Sequence, residues 1–70
     1  MDKLETLAQI EGLDVDTMLE RATFDSTAPG ICINDFCEYT CEVEPDCRNG
    51  WCEECGEGSV QSCLVLAEII

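Results

Sequence analysis

Four of the chain's cysteines fall as two pairs, Cys32-x4-Cys37 and Cys52-x2-Cys55, with residues 38–51 between them. Two chelating loops separated by one hairpin-length segment are how small domains assemble a tetrahedral tetrathiolate metal site, and such a site constrains everything folded around it. The second loop, Cys52-Glu53-Glu54-Cys55-Gly56, carries the stronger signal. Glycine after the second cysteine removes the steric barrier to positive φ, so the backbone can turn tightly around a metal. The first loop is longer than the usual two-residue spacing. Cys32, Cys37, Cys52 and Cys55 are therefore the candidate metal ligands.

Length strengthens the case for a metal. A chain of 70 residues forms one small domain that seldom buries enough apolar surface to be comfortably stable alone. A structural zinc site contributes roughly 10–16 kcal/mol of apparent binding free energy in finger-sized peptides at neutral pH. The competing staple is a set of disulfides, but the seven cysteines are an odd number. Met1-Asp2-Lys3-Leu4-Glu5 is acidic and amphipathic, unlike the basic-then-apolar start of a secretory signal. The expectation is a cytoplasmic, reducing compartment, where cysteine pairs more often hold metal than form disulfides.

Charge narrows the partners. Sixteen acidic residues against three basic ones leave a formal net charge of −13, and four thiolates around one divalent cation would deepen it. Direct nucleic-acid binding needs positive charge to displace phosphate counterions, and an anionic membrane surface would repel such a chain. The readings that remain are solubility, contact with a basic protein surface, and imitation of nucleic acid.

The chain divides near Ser26-Thr27-Ala28-Pro29-Gly30: residues 1–25 hold no cysteine and residues 26–70 hold all seven. In the first part Leu4, Leu7, Ala8 and Glu11 share one helical face until Gly12 interrupts. Asp14 then reads as an N-cap, followed by Val15, Met18, Leu19 and Ala22 at helical spacing. This helical pair is expected to pack on the cysteine module or on a second copy of the chain, as a homo-oligomer. In the second part Cys37, Tyr39, Cys41 and Val43 alternate with Glu38, Thr40, Glu42 and Glu44 as a strand would. Pro45-Asp46 and Asn49-Gly50 are turn signals. The β-branched and aliphatic run from Ser59 to Ile70 reads as a further strand, far too short to span a bilayer. The expected fold is small α+β, one compact domain overall: a zinc ribbon, with a three-stranded antiparallel sheet and two cysteine knuckles, preceded by a short N-terminal helical pair.

Residues 28–70 resemble small, largely uncharacterised zinc-ribbon proteins of bacteria and their phages. The likeness is carried by Ala-Pro-Gly-Ile-Cys, Cys-Glu-Tyr-Thr, Glu-Val-Glu-Pro-Asp, Gly-Trp-Cys-Glu-Glu-Cys-Gly and Leu-Val-Leu-Ala-Glu-Ile-Ile. The resemblance implies the fold and the quartet Cys32, Cys37, Cys52 and Cys55, and implies almost nothing about function. Cys41, Cys47 and Cys63 lie outside the pattern. In strand-like stretches Cys41 and Cys63 read as small buried apolar residues. Cys47, in the polar turn Asp46-Cys47-Arg48-Asn49, is expected to be exposed, and could pair with Cys41 or act as a redox thiol.

Iron is the alternative metal. Cys32-x4-Cys37-x3-Cys41 misses the plant-ferredoxin spacing by one residue, and Trp51-Cys52-x-x-Cys55-Gly56 is similar to a rubredoxin knuckle. Only four aromatics (Phe24, Phe36, Tyr39, Trp51) are present to shield a redox centre. An enzyme is not expected. The chain has no histidine, four cysteines would close the coordination position that a catalytic zinc keeps open, and Gly56-Glu57-Gly58 is too short and acidic for a phosphate loop. The expected function is a small acidic structural-zinc protein that acts as an interaction module on a basic partner. The alternatives are a nucleic-acid-mimicking inhibitor of a DNA- or RNA-binding enzyme, and a rubredoxin-like iron electron carrier.

Overall fold

The computed structural model describes residues 2–70; Met1, the first residue of the expected helical segment, lies outside them. Helix α1 spans Lys3–Glu11 and α2 spans Val15–Phe24. Asp2 caps α1 by accepting the Glu5 N–H at 2.8 Å, and Asp14 caps α2 by accepting the Thr17 N–H at 2.7 Å. Hydrogen bonds from the Thr17 backbone N–H and then its side chain hold the Asp14 carboxyl below the usual carboxylate range. Gly12 ends α1 at φ 74°, a left-handed conformation open to glycine, while the Leu13 N–H reaches back to the Ala8 carbonyl.

The cysteine-bearing part forms four strands, β1 (Ala28–Cys32), β2 (Thr40–Val43), β3 (Gly50–Cys52) and β4 (Glu57–Ser62), followed by a single helical turn, α3 (Cys63–Leu66). They build one antiparallel sheet in the order β2-β1-β4-β3. This corrects the three-stranded expectation at two places. The Pro29-Gly30 stretch, read as a division point, lies inside the central strand β1. Pro29 fits because its side of β1 lacking an N–H faces β4, and the β1–β4 pairing begins only at Gly30, opposite Ser62. Gly30 fits because a Cβ there would lie 2.8 Å from Val43 Cγ2 and 3.0 Å from Val60 Cγ1. The second correction is the run 59–70, which is strand only to Ser62. The Ser62 hydroxyl then accepts the Val65 N–H at 3.2 Å, and the chain turns helical. Tertiary burial overrides β-propensity here: Cys63, Leu64 and Val65 are all buried.

Two apolar clusters result. Leu7 and Ala8 of α1, Met18 and Ala22 of α2, Ala28 and Ile31 of β1, and Cys63 and Leu64 of α3 form the first. The helical pair thus buries its apolar face within its own chain. The second cluster holds Cys32, Cys37, Cys52 and Val60, with Tyr39, Cys41, Val43 and Cys55 packed against it. Among the described residues no helix is long and apolar enough to cross a membrane.

The exit from α3 carries a local strain. Glu68 stands at φ 60°, while the Glu68 N–H bonds to Val65 O and the Ile69 N–H to Leu64 O. This is the double bond pattern of a helix end that normally takes glycine at the left-handed position. Glu68→Gly is expected to stabilise the protein by about 0.5–1 kcal/mol, since the left-handed penalty exceeds the added entropy of glycine in the unfolded chain. Thermal or urea unfolding measures it; a loss of stability would contradict the assignment of strain.

Candidate metal centre

The two cysteine pairs sit on the two loops at one end of the sheet. The β1–β2 connection carries the first: the Cys37 N–H bonds to the Asn34 carbonyl, and the Cys32 N–H bonds to Tyr39 O across the base of the loop. The β3–β4 hairpin is itself the second. Its Cys55 N–H points at Cys52 Sγ at 3.3 Å, its Gly56 N–H bonds to Cys52 O, and Gly56 takes φ 67°. The left-handed residue that lets the loop wrap is thus the glycine singled out by its position.

Antiparallel pairing of the neighbouring strands β1 and β4 puts these loops side by side. The Sγ atoms of Cys32, Cys37, Cys52 and Cys55 all lie within 4.8 Å of one another, three of the residues buried and Cys55 half-buried. Cys32 Sγ is 3.8 Å from Cys55 Sγ, and Cys37 Sγ is 3.7 Å from Cys52 Sγ. A metal–sulfur bond of about 2.3 Å makes the edge of a sulfur tetrahedron about 3.8 Å. The cluster has the size of a tetrathiolate site, and these sulfurs stand far beyond the bonding separation of about 2.05 Å in a disulfide. All seven cysteines are free thiols.

Groups around the sulfurs complete the site. Ser59, buried on β4, places its hydroxyl 3.1 Å from Cys32 Sγ. The Asn34 side-chain amide donates to Cys55 Sγ at 3.3 Å and to Cys32 Sγ at 3.5 Å, and is itself oriented by Glu57 Oε2 at 3.4 Å. Donors of this kind fix ligand orientation and offset thiolate charge. Lys3 Nζ donates to the Cys37 carbonyl, tying α1 to the first knuckle. Tyr39 Oη donates to Glu53 at 2.8 Å and bridges the two loops. That bond, with burial and the Glu53 charge behind it, pushes the phenol up to about 12.

The thiols titrate far apart. Burial would raise Cys32, but the Ser59 hydroxyl, the Asn34 backbone N–H and the Cys37 and Cys52 thiols together outweigh it and hold Cys32 down at about 6. For Cys55 the Asn34 amide favours the thiolate, yet burial and the Cys37, Cys32 and Cys52 sulfurs push it up to about 12. Cys37 is also raised: the Tyr39 backbone N–H favours its thiolate, but burial and the Cys32 thiol prevail. Several thiolates at this spacing require a cation. At neutral pH Cys55 and Cys37 carry protons that a metal must displace, so metal binding should release at least about two protons per chain and tighten as pH rises. Calorimetry in buffers of different ionisation enthalpy counts them; pH-independent binding without release would contradict the ligand set.

The other three cysteines stay outside the cluster. Cys63 is fully buried in the helix-side core, and burial pushes its thiol up. Cys41 on β2 is half-buried against the cysteine cluster, its thiol raised by burial and then by the neighbouring Cys47. Cys47, expected to be exposed, is half-buried, with Sγ 3.9 Å from the Val60 carbonyl. Asn34, Ser59 and Lys3 are the residues of the site that the spacing of cysteines does not reveal. The only signal for Asn34 is an amide inside the lengthened first loop; Ser59 and Lys3 reach the site through tertiary structure.

No protein-family model, curated protein or solved structure matches this chain.

Proposed function

We propose that this is a small acidic protein whose four-cysteine centre holds a structural zinc ion and whose surface docks on a basic protein partner. The observation that carries the metal reading is the pair of tetrahedral-edge S···S distances, 3.8 and 3.7 Å, between the two loops. Four cysteine ligands leave no coordination position for water, which suits a structural rather than a catalytic zinc. Zinc is favoured over iron by where the aromatics lie. Phe36 is 85% exposed and Trp51 62% exposed, so Tyr39 alone of these three rings packs against the cysteine cluster, less cover than the shield of a redox centre gives. The zinc-ribbon reading of the fold rests on the two knuckles at one end of an antiparallel sheet, here with a fourth strand.

The basic-partner reading rests on the net charge of −13 and on the exposure of Glu38, Glu42, Glu44, Asp46, Glu53, Glu54 and Glu57. Titration of the zinc-loaded protein with an octa-lysine peptide, followed by Trp51 fluorescence, tests it. Binding that falls steeply between low and moderate salt is expected, with no retention of duplex DNA. Absence of cationic-peptide binding at low salt would overturn it.

A further inference from the structure

The acidic surface is not uniform. Between the two knuckles lies a groove of about 410 Å³ lined by Phe36, Cys37, Glu38, Tyr39, Glu54 and Cys55. Its wall carries the most exposed aromatic ring of the chain, Phe36, beside the half-buried Tyr39. Glu38 and Glu54 both line it, one from each loop. Two of the metal-ligand cysteines also line it, so four thiolates around one divalent cation would hold net negative charge beneath it. None of the chain's three cations lines the groove: Lys3 is committed to the Cys37 carbonyl, Arg48 to the Ile70 carbonyl, and Arg21 lies on α2.

We infer that this groove is the docking site for an arginine-bearing segment of a basic protein partner. The inference rests on the basic-partner reading and gives it a place and a side chain. A guanidinium stacks on aromatic faces and pairs with carboxylates in a planar fork, whereas an ammonium is a compact, strongly hydrated charge. Phe36 and Tyr39 offer the faces, and Glu38 and Glu54 offer the carboxylates. An exposed phenylalanine among carboxylates adds nothing to solubility, but it suits a cation that is also flat. The groove belongs to the folded metal centre, since both of its walls are the chelating loops. A second copy of this chain is a poor occupant, because it brings the same net charge of −13 and like charge repels.

The test is an NMR titration of the zinc-loaded full chain with octa-arginine and octa-lysine peptides. Amide shifts should concentrate at residues 36–39 and 53–55, and octa-arginine should bind a few-fold more tightly than octa-lysine. Phe36→Ala, which leaves the charge unchanged at an exposed position, should weaken octa-arginine about three- to tenfold while zinc stays bound. The paired control Asp16→Asn and Glu20→Gln, on α2, should change affinity less than about twofold. Equal weakening by the control, or none by Phe36→Ala, would overturn the groove while leaving the basic-partner reading standing. A dimer in sedimentation that Phe36→Ala dissolves would also overturn it, in favour of self-association. Failure of both peptides to bind at low salt would remove the basic-partner reading itself.

Discussion

Cys52→Ser is expected to leave the chain without a cooperative unfolding transition at 25 °C, in the presence of zinc as in its absence. Cys52 is fully buried at the C-terminal end of β3, beneath the second knuckle and 3.7 Å from Cys37 Sγ. A single core in a chain of this size rarely supplies more than about 3–5 kcal/mol, whereas a structural zinc supplies roughly 10–16 kcal/mol in finger-sized peptides. Loss of one ligand of four forfeits a share of the second quantity comparable with the whole of the first. A buried hydroxyl then takes the place of a thiolate. Cys63→Ala is the control: this cysteine is equally buried but belongs to the helix-side core, and its loss should cost no more than about 2 kcal/mol. Circular dichroism against urea separates the two. An intact transition in Cys52→Ser, or equal collapse in Cys63→Ala, would mean that the metal site is misassigned.

Gly30→Ala is expected to destabilise the metal-loaded protein by about 2–3 kcal/mol, a drop in melting temperature of roughly 10–20 °C for a domain this small. Gly30 lies in the central strand, opposite Cys41 of β2 and Ser62 of β4. Its missing side chain lets three strands close over one point. An added Cβ would meet Val43 Cγ2 at 2.8 Å, Val60 Cγ1 at 3.0 Å and the Gln61 carbonyl at 3.1 Å. Both valines are β-branched and stiff about χ1, and the carbonyl is backbone, so nothing there yields cheaply. The strain falls two residues from Cys32, so zinc affinity should weaken with stability. A neutral substitution would show that the sheet opens at this point.

The same glycine shows where reading the chain by pattern stops. The helical pair was legible because its signals are local: Asp14 three residues before the N–H it caps, Gly12 where α1 must turn, and apolar residues at helical spacing. The quartet was legible because chelating loops have a fixed covalent reach. Strand β1 was not legible. Pro29-Gly30 is a breaker in any local reading, and it is tolerated only because β4 ends beside Pro29 and two valines crowd Gly30, both facts of tertiary structure. The run after Ser59 failed for a related reason. Val60 in β4 and Val65 in α3 have the same β-propensity, and the Ser62 cap and the pull of the helix-side core separate them. Asn34 and Ser59 gain their roles only when β1 and β4 stand side by side, so no spacing along the chain announces them.

Metal content per chain, read by elemental analysis together with a visible spectrum on protein purified without added metal or chelator, tests the central claim most directly. The account predicts one zinc per chain and no colour. A folded chain that carries no metal would contradict it.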